Sequence, residues 1–256
     1  MKIDSKNKTI LIFSDVHQDI YRVNKLLEEE TYDVAICLGD WFDSFDYDSE
    51  YDIIKTCKFL NKWIKNDKFF TLYGNHDLHY FFNNKYTICS GYEEHKDVLI
   101  GNKFGRDFLD IRNKFLWYVW IDDYLCSHAG VNIHHFLPTL DITDKNALTT
   151  WLDAQGDAAN TALSGGLSHW FFRAGMAREG RQNVGGIVWQ DFDCEFEPID
   201  GLKQIVGHTP HDKVLTHTSD GIMDYTLSDN LDIDCHLNQY LLIKDGKITI
   251  KYLRDL

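Results

Sequence analysis

Five short clusters of Asp, His and Asn punctuate this sequence, each following an apolar run. They are Asp15-Val16-His17, Gly39-Asp40-Trp41-Phe42-Asp43, Gly74-Asn75-His76-Asp77, Ser127-His128-Ala129-Gly130 and Gly207-His208-Thr209-Pro210. These residue types suit divalent cations, since carboxylates supply hard oxygen, imidazoles supply nitrogen and an Asn amide supplies neutral oxygen. Residues two apart share one side of an extended segment, so Asp15 and His17 can face one ion. Asp40 has two oxygens and can bridge two ions. Two divalent ions would outweigh the charge of Asp15 and Asp40, because Asn75 and the histidines are neutral. The excess can bind a phosphate and stabilise a bridging hydroxide. Two ions ~3.5–4 Å apart activate water and clamp the oxygens of an in-line displacement.

The elements must bring these clusters together. Residues 9–13, 33–38 and 68–72 read as strands, and 19–30 and 50–65 as amphipathic helices between them. That alternation implies parallel pairing through right-handed crossovers, with the polar clusters at the carboxyl ends of the strands, where sites of open α/β sheets gather. Residues 78–105 read as aromatic and irregular, 116–121 and 124–127 as paired strands, 144–163 as a helix, and 164–186 as loop or broken helix. The end is β-rich, over 203–206, 213–218, 231–235, 239–243 and 247–253, with Asp245-Gly246 as a hairpin turn. These readings predict one domain over 1–256 with an irregular and helical insertion at about 136–186.

Composition narrows the function. A net charge of −14 disfavours broad binding to phosphate backbones, so no DNA partner is expected. The apolar run 10–13 is too short for a signal peptide or membrane span, and no later segment is long enough. The six cysteines show no CxxC spacing, which predicts buried free thiols and a cytoplasmic protein. Oligomeric state is left open.

The ordered set D-x-H, G-D-x-x-D, G-N-H-D, H and G-H-x resembles the calcineurin-like metallophosphoesterase superfamily, from Asp15 to His208. The resemblance implies a four-layer α/β/β/α sandwich of two mixed sheets flanked by helices. It implies two divalent ions (Mn, Fe or Zn, with Mn favoured). Asp15, His17 and Asp40 would hold the first, and Asp40, Asn75, His128 and His208 the second. It makes His76 the proton donor to the leaving oxygen, or a stabiliser of the transition state. Asp77 would orient His76, and Asp43 would stand behind the ligands. Many members carry G-H-x-H, but Pro210 stands at the last position here. The G-H-T-P and S-H-A-G forms and Val188-Trp189 are similar to the bacterial protein-phosphatase and dinucleoside-tetraphosphatase branch. Water, His211 or His236 could complete the first ion's shell. The second motif lacks that branch's phosphate-gripping Arg, which Arg173, Arg178 or Arg181 could replace.

Structural readings compete with these. A lone His17 or His128 is more often a loop residue, and the arginines at 173–181 more often a surface feature. Residues 78–82 suit core or cleft wall, although Tyr80 or Phe81 could stack a base. His79, His95, His134, His135, His169 and His217 are expected to have no catalytic role. The leading expectation is a hydroxide-attack phosphomonoesterase acting on a small molecule or phosphoprotein. The alternatives are hydrolysis of a dinucleoside polyphosphate or another phosphodiester, a DNA nuclease, and a metal-binding scaffold without activity.

Overall fold

The strand that carries Asp15 and His17 at its end is apolar on both faces. Ile10 and Ile12 of β2 (Thr9–Phe13) point toward a second sheet, whereas Leu11 and Phe13 point toward helices. A strand buried on both sides lies inside a layered structure. The structure, a computed structural model, describes residues 1–217 and 229–253. Before β2 comes β1 (Lys2–Ile3), and after it follow β3 (Val34–Cys37), β4 (Phe69–Leu72), β5 (Phe115–Leu116), β6 (Tyr118–Ile121) and β7 (Tyr124–Ser127). The later strands are β8 (Lys203–Val206), β9 (Leu215–His217), β10 (Asn230–Asp232), β11 (Gln239–Lys244) and β12 (Lys247–Tyr252). Two six-stranded mixed sheets result: sheet I, in the order β12-β11-β2-β3-β4-β5, and sheet II, in the order β1-β6-β7-β8-β10-β9. In sheet I, β2, β3, β4 and β5 are parallel; β11 runs antiparallel to β2.

Between the sheets lies one apolar layer, including Ile10, Ile36 and Leu241 from sheet I and Val119, Ile205 and Leu231 from sheet II. The outer faces carry helices. α1 (Ile20–Glu29) buries Ile20, Val23, Leu26 and Leu27, and its cap Asp19 accepts from the Arg22 N–H. α2 (Glu50–Trp63) starts at Ser49, with Glu50 and Asp52 in its first turn complementing the helix dipole. The two-sheet sandwich with flanking helices is the fold the motifs imply.

The region from 78 to 105 corrects the reading as irregular. It contains most of α3 (Asn75–Phe82) and α4 (Glu94–Phe104). α3 is buried almost all round, so it shows no amphipathic stripe. The run 116–121 is not one strand either: β5 belongs to sheet I and β6 to sheet II, with Trp117 between them. After α5 (Phe108–Arg112), α6 (Lys145–Ser164) matches the expected helix, packing Gly156 against the Trp117 ring. The strand expected over 213–218 is shorter, as β9, and residue 218 lies outside the described residues. Buried thiols are found at Cys37, Cys57, Cys126 and Cys235, but Cys89 is half-buried and Cys194 exposed. Among the described residues, no helix is long and apolar enough to cross a membrane.

Candidate metal centre

All the motif residues lie at one end of the two sheets. Asp15 and His17 follow β2, Asp40 follows β3, and Asn75 and His76 open α3 after β4. From sheet II come His128, after β7, and His208, after β8. The loops interlock through the backbone: the Asp15 N–H donates to the Gly39 carbonyl at 3.1 Å and the His17 N–H to the Asp40 carbonyl at 2.8 Å. Asp15, His17, Asp40 and His208 all have left-handed backbone, with φ of 52°, 42°, 57° and 77°. Such conformations cost about 1–3 kcal/mol each and cluster where structure serves a site. The approach is also too close for side chains. A Cβ on Gly74 would lie 2.0 Å from Asp40 Oδ1, and one on Gly207 would lie 2.3 Å from Asp15 Oδ2.

Two ligand groups share Asp40. Ligand atoms of Asp15, His17 and Asp40 lie within 4.8 Å of one another, as do those of Asp40, His128 and His208. His128 Nε2 also lies 3.1 Å from Asn75 Oδ1 and 3.4 Å from Asp40 Oδ2. The imidazoles are aimed from behind. His17 Nδ1 meets the Phe42 carbonyl at 3.0 Å, and His128 Nδ1 meets the Leu38 carbonyl at 2.9 Å. A carbonyl accepts only from N–H, so each imidazole in its neutral form keeps the Nε2 lone pair for a cation. Asp15 Oδ1 and His208 Nε2, which can each offer a lone pair, are buried without a hydrogen-bond partner. Orphaned buried polar atoms are rare, and their convergence here fits a pair of cations. His211 and His236 stand outside both ligand groups, and His211 Nε2 faces Asp193 at 3.7 Å.

Electrostatics follows from burial and charge. Burial opposes ionisation of Asp40, yet His128, His76 and His17 together hold its carboxyl well below the usual range. Burial opposes protonation of His128, but Asp40 and Asp15 outweigh it and lift the pKa to about 9. His208 goes the other way, because burial, then His128 and Arg178, push it well down. Burial raises Asp15, with Asp40 adding to the effect.

The expected partnership of His76 with Asp77 is corrected. Asp77 is fully buried and turns inward, accepting from the N–H groups of Asp40, Trp41 and Gly74 at 3.0, 2.8 and 2.9 Å. It clamps the second and third motif loops to each other. The carboxylate at His76 belongs to Asp43, with Oδ2 3.1 Å from Nδ1. Asp43 is held in turn by the Tyr80 hydroxyl and by Lys96 Nζ at 3.6 Å; the Lys96 ammonium also meets Asp48 at 2.7 Å. Tyr80 lies one helical turn after His76, a spacing visible in the sequence. Nothing in the sequence marked Lys96, whose side chain reaches the site through the fold alone. With Tyr80 and Phe81 both buried, neither can stack a base.

The cleft over the centre has a volume of about 1320 Å³ and is lined by His17, Asp40, Asn75, His76, Arg173 and Arg178 among others. Arg178 Nε pairs with Asp191 Oδ2 at 2.8 Å, and its Nη2 donates to Thr209 Oγ1 at 3.2 Å, next to His208. Arg173 Nε donates to Ser168 Oγ at 2.9 Å. The Trp189 ring lies edge-on to His208, with centroids 5.5 Å apart.

A fold of two mixed sheets between helices, with paired Asp/His ligand groups at one end, defines a metal-dependent hydrolase. The calcineurin-like phosphoesterase family model matches residues 8–233, so the chain belongs to that family of dinuclear metal-dependent phosphoesterases. Among solved structures, it is similar to a cold-active protein-tyrosine phosphatase from the psychrophile Shewanella sp. (TM-score 0.64, 13% identity, covering 99% of this chain and 82% of that one). It is also similar to a protein serine/threonine phosphatase from Saccharomyces cerevisiae (TM-score 0.54, 13% identity, covering 100% and 84%). At such identities the likeness extends to the fold. No curated protein sequence matches the chain.

Proposed function

We propose that this chain hydrolyses phosphomonoesters, with the phosphate carried by a small molecule or a protein. We further propose that Asp15, His17 and Asp40 hold one ion and Asp40, Asn75, His128 and His208 the other. Bound there, two divalent cations supply Lewis acidity toward a phosphoryl group and lower the pKa of water. Manganese suits this mixture of carboxylate, amide and imidazole donors. Arg173 and Arg178 bind the phosphate oxygens from the facing wall of the cleft. His76, its Nδ1 fixed on Asp43, delivers the proton from Nε2 to the leaving oxygen.

The observation that carries this reading is the pairing of His76 with a buried carboxylate beside the shared Asp40, under an arginine-lined cleft. A terminal phosphate carries two negative charges, and that wall matches them better than it matches a singly charged diester. One feature favours the dinucleotide alternative: Phe45 and Tyr86 line the same cleft and are exposed, so a base could lie on them. A panel of monoesters, diesters and dinucleoside polyphosphates with Mn²⁺ separates the two. Monoesters are expected to be cleaved fastest; exclusive cleavage of dinucleotides would reverse the proposal. His76→Ala is expected to keep its metal and lose about a hundredfold or more in kcat. Unchanged turnover in that variant would leave a metal-binding scaffold.

A further inference from the structure

The two ligand groups differ in how they join the sheets. Asp40, Asn75, His128 and His208 come from both sheets, whereas Asp15, His17 and Asp40 all follow strands of sheet I. A carboxylate from sheet II reaches the same region. Resting on the dinuclear reading above, we propose that Asp234 is a further metal-holding residue, an outer carboxylate that retains the first ion from the β10 side.

Its placement follows from strand pairing. β10 runs parallel to β8 with Asp232 opposite Val206, and the Ile233 N–H donates to the Val206 carbonyl at 2.8 Å. The His211 N–H donates to the Asp234 carbonyl at 2.9 Å, so residues 233–234 flank the Gly207-His208 turn. That turn touches the first group directly: the His208 N–H donates to Asp15 Oδ2 at 3.1 Å. From the other side, Arg22 of α1 donates to the His236 carbonyl at 2.7 Å and to Asn238 Oδ1 at 2.8 Å. α1 begins just after the Asp15–His17 loop, so the Asp234 segment is tied to the first group at both ends. The Asp234 N–H is fixed on Asp232 Oδ1 at 2.8 Å. Asp234 is 4% exposed and lines the cleft with His17 and Asp40.

Charge gives the reason for a ligand. Among the described residues, no Lys or Arg pairs with Asp15, Asp40 or Asp234; the groups facing Asp40 are the imidazoles of His17 and His128. Asp15 Oδ1 is buried and has no hydrogen-bond partner. Converging buried carboxylates without a fixed cation need one, and a divalent ion supplies it. Asp234 stands outside the set of atoms within 4.8 Å that Asp15, His17 and Asp40 form. The role proposed for it is that of a group bonding the ion's water shell, and loss of such a group typically weakens metal affinity about 10–100-fold.

The test is equilibrium dialysis of the full chain against Mn²⁺, with ions per chain counted by elemental analysis. Wild type is expected to bind two ions. Asp234→Asn is expected to weaken the first site by about tenfold or more while the second keeps its affinity. Asp234→Glu, which keeps the charge, is expected to recover most of the loss. Asp15→Asn serves as the reference for a destroyed first site, and His211→Ala as a neighbour outside it. Asp234→Ser replaces Asp234→Asn if circular dichroism shows the amide variant to be misfolded. Two tight ions in wild type and an unchanged isotherm in the Asp234 variants would overturn the inference and leave the phosphoesterase reading standing. A loss in His211→Ala with none in Asp234→Asn would transfer the role to that histidine. Fewer than two ions in wild type would remove the dinuclear reading, and this inference with it.

Discussion

Asp43 and Asp77 sit near the same histidine and do different things, which separate measurements can show. Asp43 touches the His76 ring, so Asp43→Asn is expected to lower kcat by about tenfold or more while metal content stays the same. Asp77 touches only backbone. Removing its carboxylate leaves the N–H groups of Asp40, Trp41 and Gly74 without an acceptor. Each such loss costs about 1–3 kcal/mol, so Asp77→Ala should lower Tm by roughly 10 °C or more. A thermal melt matching wild type would show that Asp77 is no clamp. His128 supplies a pH dependence. In the metal-free protein its pKa is raised to about 9. Its proton therefore stabilises the metal-free fold fully below the ordinary histidine value of about 6.5, and that contribution is lost as pH rises through about 9. A ligand imidazole must be neutral, so ion entry expels this proton. Mn²⁺ affinity should rise with pH up to about 9, with proton release visible by calorimetry in buffers of different ionisation enthalpy. Equal heats in all buffers would contradict the assignment.

At the scale of elements, the site is a meeting of strand ends at van der Waals distance, and glycine makes the meeting possible. Gly74→Ala is expected to push the Asp40 carboxylate away, because the new Cβ would lie 2.0 Å from Oδ1. Under the proposed assignment both ions share Asp40, so this one methyl should lower Mn²⁺ binding at both sites; normal stoichiometry with normal affinity would refute the shared role. The clusters themselves were legible because each follows a strand whose apolar run stands out, and their order along the chain is diagnostic even though the residues are distant. The elements between them were less legible for physical reasons. α3 is buried on nearly every side and so has no stripe, and α4 buries only Lys96, Ile100 and Phe104. Residues 116–121 read as one apolar run, whereas the chain changes sheets at Trp117, whose ring packs against Gly156 of α6. The support of His76 was partly visible: Asp43 belongs to a motif and Tyr80 shares a helix with the histidine. Lys96 and Asp234 come from segments whose approach depends on tertiary structure, and periodicity carries no trace of them.

For the whole molecule, the centre is a joint between two sheets. Of the second group as proposed, Asp40 and Asn75 follow strands of sheet I, and His128 and His208 follow strands of sheet II. Without ions, that joint brings carboxylates together in a protein whose net charge is already −14. Metal binding should therefore act on global stability as well as on catalysis. An ion that binds only the folded state at 100 times its Kd stabilises it by about 2.7 kcal/mol. For a chain of this size each kcal/mol moves Tm by about 2–4 °C, so filling one site should raise Tm by roughly 5–10 °C. The two sites should not contribute alike. The second group ties the sheets together directly, so His208→Ala should abolish most of the manganese-induced rise, which is measured for each variant against its own metal-free Tm because loss of the buried ring beside Trp189 also lowers that Tm. Scanning calorimetry of wild type, His208→Ala and His17→Ala, each with excess Mn²⁺ and with chelator, measures the difference. If the ion raises Tm equally in all three, the sheets are held together by their apolar layer alone and the centre is a passenger on a fold already complete.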